Sequence, residues 1–273
     1  MSRILRDSVE RHFQKTLSLI QKDKSVEALI ELKKTEEAMK LLLKSPEKEY
    51  FQENLQFILS KVFSLGDLMS KKGFFLQAQN LHKLSLLISR KLLKTDPENI
   101  SYQLAEAGAL NDLGVILSDM GRKEKAKEMY EGALKIQEKL LKKDKEDLLY
   151  QSLVGATLNN LGALFSDMGR FEEAKQMNVR ALEIREKLLE KEPENITYQS
   201  HVAMTLNNLA SSLRNMGFVE EAKQKYENAL EIKEKLLKKE PESITYQTDV
   251  AMTLSNLGVL LRNMGYMEEA KKR

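Results

Sequence analysis

The sequence has 273 residues, with no cysteine, no tryptophan, four prolines and twelve glycines. The lack of cysteine excludes disulfide bonds and thiolate metal sites, and it is typical of a reducing compartment. Few prolines leave room for long helices. No apolar run approaches the roughly 18 residues of a membrane-spanning helix, and the first thirty residues do not resemble a signal peptide. We therefore expect a cytoplasmic chain without a membrane partner.

The charge of the chain is almost balanced. Lysine and arginine number 44 and acidic residues 41, which gives a formal net charge of +3. Nucleic-acid binders usually carry a larger basic excess gathered on one surface. The composition therefore argues against nucleic acid as a partner. The hydrophobic share of 42% and the charged share of 31% are instead typical of helix-rich globular proteins.

A pattern returns every 48 residues along the chain. A leucine followed by a small residue occurs at Leu65-Gly66, Leu113-Gly114, Leu161-Gly162, Leu209-Ala210 and Leu257-Gly258. A second glycine keeps the same interval at Gly73, Gly121, Gly169, Gly217 and Gly265. Self-similarity at a fixed interval indicates an array of structural repeats.

Each repeat is predicted to form two amphipathic helices. The first has an apolar face at helical spacing, formed by Tyr198, Val202, Leu206, Leu209 and Leu213. Gly217 then favours a left-handed turn, and Glu220 and Glu221 place negative charge in the first turn of the second helix. Pro241 marks the start of the next repeat. The small residue Gly162 is expected to permit close contact between the two helices.

These residues resemble the tetratricopeptide repeat. One copy of that family's pattern is formed by Leu113, Gly114, Leu117, Gly121, Ala126, Tyr130 and Ala133. In the next copy Asn178 replaces the aromatic residue of the second helix. The resemblance covers residues from about 49 to the end. It implies an all-α fold, an α-solenoid of stacked antiparallel hairpins that forms a right-handed superhelix of less than one full turn. Since the family interval is about 34 residues, each helix is expected to be about two turns longer.

The segments "TLNNLA" and "ALEIKEKLL" are similar to the long repeats of kinesin light chain and its bacterial and archaeal relatives. That resemblance implies a scaffold that holds short, extended and often acidic peptides of a partner protein. Attachment to the motor would need a heptad coiled coil ahead of the array, and the sequence has none. The motor role is therefore not expected here.

The repeats predict the domain organisation. Four complete units are expected at about 49–96, 97–144, 145–192 and 193–240, with a truncated fifth at 241–273. Residues 1–48 are expected to form a degenerate helical hairpin that caps the array, or alternatively a separate docking element. In the fifth unit Leu254, Leu257 and Leu261 are expected to lose the partner that a second helix would provide. Such an end indicates a fragment of a longer array or a site of self-association.

The predicted binding surface lies on the first helices, which line the concave side in this family. Its candidate residues are Asn111, Ser118, Asn159, Asn160, Ser166, Asn207, Asn208, Ser211, Arg214, Asn256 and Arg262. An asparagine amide both donates and accepts, so a ladder of asparagines can bind the main chain of an extended peptide. A structural role, in which asparagines bridge adjacent hairpins, stays open, above all for Asn160 and Asn208.

Catalytic chemistry has little support. The three histidines, His12, His82 and His201, lie far apart, and no phosphate-loop, dinucleotide or zinc-protease motif occurs. We expect no enzyme, no catalytic residue, no cofactor and no metal. His82 takes the place of the aromatic Tyr130 and is predicted to be a packing residue, whereas His201 is expected near a surface. Asn99 and Asn195 lie in glycosylation-like triplets, but they are predicted to start helices.

The sequence thus favours a scaffold that binds a peptide segment of another protein. One alternative is a structural array that self-associates through its C-terminal end. Another is the repeat portion of a longer multidomain signalling protein, in which any enzyme would be a further domain.

Overall fold

The computed structural model describes residues 2–22, 24–43 and 51–266, which form eleven α-helices and no strand. The all-α prediction is confirmed for these residues. The helices are α1 (Ser2–Gln21), α2 (Ser25–Leu43), α3 (Phe51–Lys71), α4 (Phe75–Thr95), α5 (Ile100–Asp119), α6 (Lys123–Lys143), α7 (Leu148–Asp167), α8 (Phe171–Lys191), α9 (Ile196–Asn215), α10 (Val219–Lys239) and α11 (Ile244–Asn263). In this part of the chain, no helix combines the length and apolar character that a bilayer span requires.

The chain divides into two compact units, Met1–Ile116 and Leu117–Arg273. In the first unit α1 packs against α2 and α3 against α4. In the second, α6 to α11 pack in sequence, each against the next, and α7 and α9 also touch. Both units are therefore built from antiparallel helical hairpins, as the repeat pattern predicts.

The turns inside the hairpins depend on glycine. Gly169 has a φ of 74° and Gly217 a φ of 85°, in the left-handed region that other residues rarely adopt. After the glycine, the N–H of Phe218 donates to the carbonyl of Leu213 over 2.9 Å. This bond satisfies a carbonyl at the end of α9, as in a Schellman-type C-cap. The predicted role of the second glycine is confirmed.

Four first helices, α5, α7, α9 and α11, begin with a side-chain cap. The Asn195 side chain accepts from the N–H of Tyr198 over 3.1 Å, and Asn99 accepts from the N–H of Tyr102 over 3.3 Å. Asp147 and Ser243 occupy the same position before α7 and α11. Such a cap satisfies one of the unpaired N–H groups of the first turn. The predicted helix-start role of Asn99 and Asn195 is confirmed.

The N-terminal hairpin of α1 and α2 buries polar as well as apolar side chains. Phe13 and Leu32 are buried, but so are Thr16, Glu31 and Thr35. The Glu31 carboxylate contacts His12 and lies 3.2 Å from Lys15. Residue 23 and residues 44–50, which include the end of the predicted hairpin, lie outside the described residues. The role of this hairpin as a cap stays a prediction.

Helix α11 differs from one expectation. Leu257 and Leu261 are fully buried, and they belong to one cluster with Tyr226 and Ala229 of α10. The prediction that they lose their partner is therefore wrong, because the preceding hairpin already covers them. Leu254 is half-buried and packs against the same cluster. Residues 267–273, the last part of the predicted fifth unit, lie outside the described residues.

Candidate functional site

The second unit presents a surface that we call the first-helix face. It is formed by residues of α7, α9 and α11 that are exposed or half-exposed, namely Asn160, Ser166, Asn207, Asn208, Ser211, Arg214, Asn256 and Arg262. The helices are neighbours, since α7 contacts α9 and α9 contacts α11. Repeated positions of the sequence therefore come to lie side by side on adjacent helices.

Asn159 has a different position from the other candidates. Its side chain is only 3% exposed. Its Oδ1 accepts from Thr205 Oγ1 and from Asn208 Nδ2, both over 3.2 Å. Asn207, half-buried, accepts from Thr253 Oγ1 over 3.3 Å. Asn159 and Asn207 thus bridge adjacent hairpins as hydrogen-bond acceptors, and Asn208 takes part as a donor.

Two buried cations lie beneath these bridges. Arg185 is 4% and Lys233 7% exposed. The guanidinium of Arg185 donates to the backbone oxygen of His201 over 2.9 Å and also to Thr205 Oγ1. Lys233 Nζ donates to Thr253 Oγ1 over 2.8 Å and to the backbone oxygen of Asp249 over 3.2 Å. Each cation therefore joins its second helix to the first helix of the following repeat.

We call these two sets of contacts the polar ladder; its rungs are Arg185–Thr205–Asn159 and Lys233–Thr253–Asn207. Burial lowers the pKa of the Arg185 guanidinium to about 10. It also lowers the pKa of the Lys233 ammonium, against the opposing charge of Asp249. Sequence reasoning missed both cations, because lysine and arginine among glutamates predict a solvated helix face. The available signal was Gln137, an uncharged residue at the same repeat position in another unit. The structure shows that Gln137 is buried.

Ser211 is also engaged within the fold. Its Oγ lies 2.8 Å from the hydroxyl of Tyr226, which is fully buried. Burial raises the pKa of Tyr226, while the hydrogen bond with Ser211 and the charge of Arg214 act in the opposite direction. The guanidinium of Arg214 thus lies near enough to influence this phenol.

Among the described residues, Arg214 and Arg262 differ from neighbouring arginines because they form no ion pair with a carboxylate. Arg170 pairs with Glu173, and Arg180 lies 2.7 Å from Glu138. Among the described residues, no carboxylate pairs with Arg214, which is half-exposed, or with Arg262, which is exposed. A guanidinium has five N–H donors and no acceptor. These two side chains can therefore accept a carboxylate ligand without breaking an internal ion pair.

The remaining candidates lie elsewhere on the chain. Asn111, in the first unit, is half-buried, and its Nδ2 donates to Asp112 Oδ1 over 3.4 Å. Ser118 is half-buried at the end of α5. The predicted packing role of His82 is confirmed, since it is fully buried and meets Phe63 edge-on at 5.8 Å. His201 is only half-exposed, and burial together with the charge of Arg185 lowers its pKa.

Comparison with known families gives two matches. Residues 105–187 and residues 202–243 each match a family model described as tetratricopeptide repeat. These two segments therefore resemble tetratricopeptide repeats. Repeats of this type generally mediate protein–protein interactions, and their fold is typically a non-enzymatic scaffold. A search of the curated proteins gives no match.

Solved structures of similar fold include BtubC (BKLC) from P. vanneervenii, at 23% identity and a TM-score of 0.59, covering 100% of this chain and 87% of that one. A kinesin light chain from Podosopora anserina with nearly identical repeats is 19% identical, with a TM-score of 0.54, covering 78% of this chain and 90% of that one. The apo form of RapI is 14% identical, with a TM-score of 0.56, covering 96% of this chain and 73% of that one. At these identities the likeness concerns the fold.

Proposed function

We propose that the chain is an interaction scaffold whose first-helix face binds an extended, acidic peptide segment of a partner protein. The observation that carries this proposal is the pair Arg214 and Arg262. They occupy the same repeat position on α9 and α11, and among the described residues they form no ion pair. Guanidinium groups bind carboxylates through two parallel hydrogen bonds, which favours an acidic ligand.

Helix spacing suggests how such a peptide is arranged. Packed helices lie about 8–10 Å apart, and an extended peptide in the polyproline II conformation advances about 3.1 Å per residue and returns to the same side every third residue. Two acidic side chains separated by about three residues would therefore match Arg214 on α9 and Arg262 on α11. A peptide of alternating or random acidity would match this pair less well.

The asparagines have a narrower role in this proposal than the sequence predicted for them. Asn159 is buried, and the oxygen of Asn207 already accepts from Thr253. Asn208 uses its Nδ2 toward Asn159, which leaves its oxygen to accept a peptide N–H. Asn256 occupies the same position on α11 and is half-buried. We propose that Asn208 and Asn256 contact the peptide main chain while the two arginines select its charge.

A peptide array tests this arrangement. Extended ten-residue peptides would carry two glutamates separated by one to six positions on a neutral background. The intact chain is expected to bind best at a spacing of about three. The variant with Arg214→Ala and Arg262→Ala is expected to lose the preference. A control with Arg180→Ala and Lys235→Ala removes the same charge from the second helices and is expected to keep it. If no acidic peptide exceeds the neutral ones, the proposal fails.

A self-associating array is the second candidate, and α11 supplies the observation that favours it. Ile244, Met252 and Val259 of this helix are 78%, 55% and 37% exposed. Apolar exposure of this kind can pair with another chain. Light scattering across a wide concentration range decides the matter, since a strict monomer at the highest concentration would exclude this function. The third candidate is the repeat portion of a longer multidomain signalling protein. Sequencing the adjacent reading frame tests this candidate, because it would reveal a further domain.

Three predictions from the sequence also stay proposals. One is the cytoplasmic, reducing setting, which cell fractionation tests. The second is the division into a cap at residues 1–48 and repeats from residue 49. Limited proteolysis tests that division, since cleavage that separates the two parts is expected at the predicted boundary between residues 48 and 49. The third is that the face lies on the concave side of a right-handed array.

A further inference from the structure

His82 of α4 lies between two carboxylates of the first unit. Its side chain is fully buried. Nε2 is 3.8 Å from Asp67 Oδ1 of α3, and Nδ1 is 3.5 Å from Asp112 Oδ2 of α5. Neither ring nitrogen forms a hydrogen bond of good geometry with the described residues, although the backbone of Gly66 lies near enough to interact with the ring. A buried imidazole thus directs both of its polar atoms toward acidic groups without forming a hydrogen bond to either.

This arrangement is unfavourable for a neutral histidine. A neutral imidazole has one N–H and one bare lone pair. Whichever nitrogen carries the proton, the other presents its lone pair to a carboxyl group, and the two repel whenever that group is ionised. A cation between these atoms would remove the repulsion. A second proton on the ring would do so as well, but burial lowers the pKa of His82 and disfavours that form.

We propose that Asp67, His82 and Asp112 bind a divalent transition-metal ion of the zinc class. One imidazole nitrogen and one oxygen from each carboxylate would serve as ligands, and these atoms all lie within 4.8 Å of one another. Zinc–ligand bonds to nitrogen and oxygen measure about 2.0–2.2 Å, so a modest inward movement of the side chains completes the site. The mixed nitrogen and oxygen set favours zinc over magnesium.

The charges around the site agree with a bound cation. The carboxylates of Asp67 and Asp112 lie 3.8 Å and 3.5 Å from nitrogens of the same imidazole. Two carboxylates near each other in a partly buried place repel, and a divalent cation would relieve that repulsion. The Asp67 side chain is 53% exposed, which leaves a path from solvent to the site. A three-residue ligand set also leaves coordination positions for water or for a ligand group from a partner.

Another repeat shows that packing alone does not require these residue types. Asp67 and His82 correspond by the 48-residue interval to Ser211 and Tyr226. There the two hydroxyls lie 2.8 Å apart and satisfy each other. The third repeat has Ala163 and Asn178 at these positions. An acid facing a histidine therefore distinguishes this position in the first repeat from its later copies.

Calorimetric titration of the intact, tag-free chain with Zn²⁺ tests the site. We expect one ion per chain and a higher melting temperature with Zn²⁺, with much weaker binding of Mg²⁺. Asp67→Asn, at an exposed position, and His82→Phe, which restores an aromatic, are each expected to weaken Zn²⁺ binding at least tenfold. The control His201→Gln also removes a histidine and is expected to bind Zn²⁺ like the wild type.

Co²⁺ gives a second measurement, because its visible absorption reports the ligand set. The wild type and His201→Gln are expected to develop the same spectrum, and His82→Phe to lack it. The proposal is overturned if the wild type binds no Zn²⁺ or if Asp67→Asn and His82→Phe bind Zn²⁺ with unchanged affinity. It is also overturned if His201→Gln loses as much affinity as they do.

Discussion

Arg185 donates a hydrogen bond from its guanidinium to the backbone oxygen of His201 over 2.9 Å, and so joins α8 to the main chain of α9. Lys233 repeats this relationship with Asp249 one repeat later. The acceptors on both rungs of the polar ladder are neutral oxygens. A buried cation with neutral acceptors carries a desolvation cost, and we infer that its benefit is a fixed register between adjacent hairpins.

Removal of the Arg185 side chain is expected to destabilise the second unit. Arg185→Ala deletes hydrogen bonds from a charged donor, and the free energy of unfolding is expected to fall by about 1.5–3 kcal/mol. Arg185→Gln is expected to cost less, because glutamine is accommodated at this repeat position as the buried Gln137. Urea denaturation measures both.

Arg180→Ala is the matched control for this prediction. Arg180 forms a largely exposed ion pair with Glu138, and such pairs contribute about 0–1 kcal/mol. Equal losses of stability in Arg180→Ala and Arg185→Ala would contradict the importance of the polar ladder.

Gly162 is expected to be sterically restricted by Asn178. A Cβ at Gly162 would lie well inside van der Waals contact with the side-chain oxygen of Asn178, which is fully buried. Gly162→Ala is therefore expected to cost about 1–3 kcal/mol of unfolding free energy. Adding Asn178→Ala removes the obstacle and is expected to recover part of that loss. Losses that simply add in the double variant would show that the two residues do not interact.

The N-terminal hairpin is expected to lose stability in acid through Glu31. Burial alone raises the pKa of this carboxyl, but the contacts with His12, Lys15 and Lys34 outweigh it and leave the pKa at about 2. Since the folded pKa lies below the ordinary value of 4.5, the stabilisation is present above pH 4.5 and is lost as the pH falls toward 2.

Hydrogen exchange of α1 and α2 between pH 6 and pH 3, corrected for the intrinsic exchange rates, measures this effect. Glu31→Gln does not titrate and is expected to flatten the dependence, whereas Glu27→Gln, at an exposed position of α2, is expected to keep it. Parallel pH profiles for wild type and Glu31→Gln would contradict the assignment.

The sequence predicts structural features that depend on residues close together in the chain. The turn at Gly217 and the cap at Asn195 depend on residues a few positions away, so both could be predicted from their neighbours. The burial of Asn159 could not, because its partners Thr205 and Asn208 lie about one repeat later. The same holds for Leu257, which the preceding hairpin covers.

The candidate site was predicted less completely than the fold. The repeat interval correctly aligned the positions of Asn208 and Asn256 and of Arg214 and Arg262 on neighbouring helices. It could not distinguish half-buried asparagines from the buried Asn159, because Asn159 and Asn160 are adjacent in sequence and chemically identical. Arg185 and Lys233 were missed for a related reason, since charge alone predicts exposure.

The most direct test of the proposed function is a binding cycle between one peptide and two arginines. Calorimetry would compare a peptide carrying two glutamates three residues apart with its glutamine version, for the wild type and for the variant with Arg214→Ala and Arg262→Ala. We expect the wild type to bind the glutamate peptide at least tenfold more tightly, about 1.4 kcal/mol. The variant is expected to bind both peptides equally and to melt like the wild type. A glutamate preference that persists in the variant, or a wild type that binds neither peptide, would contradict the account.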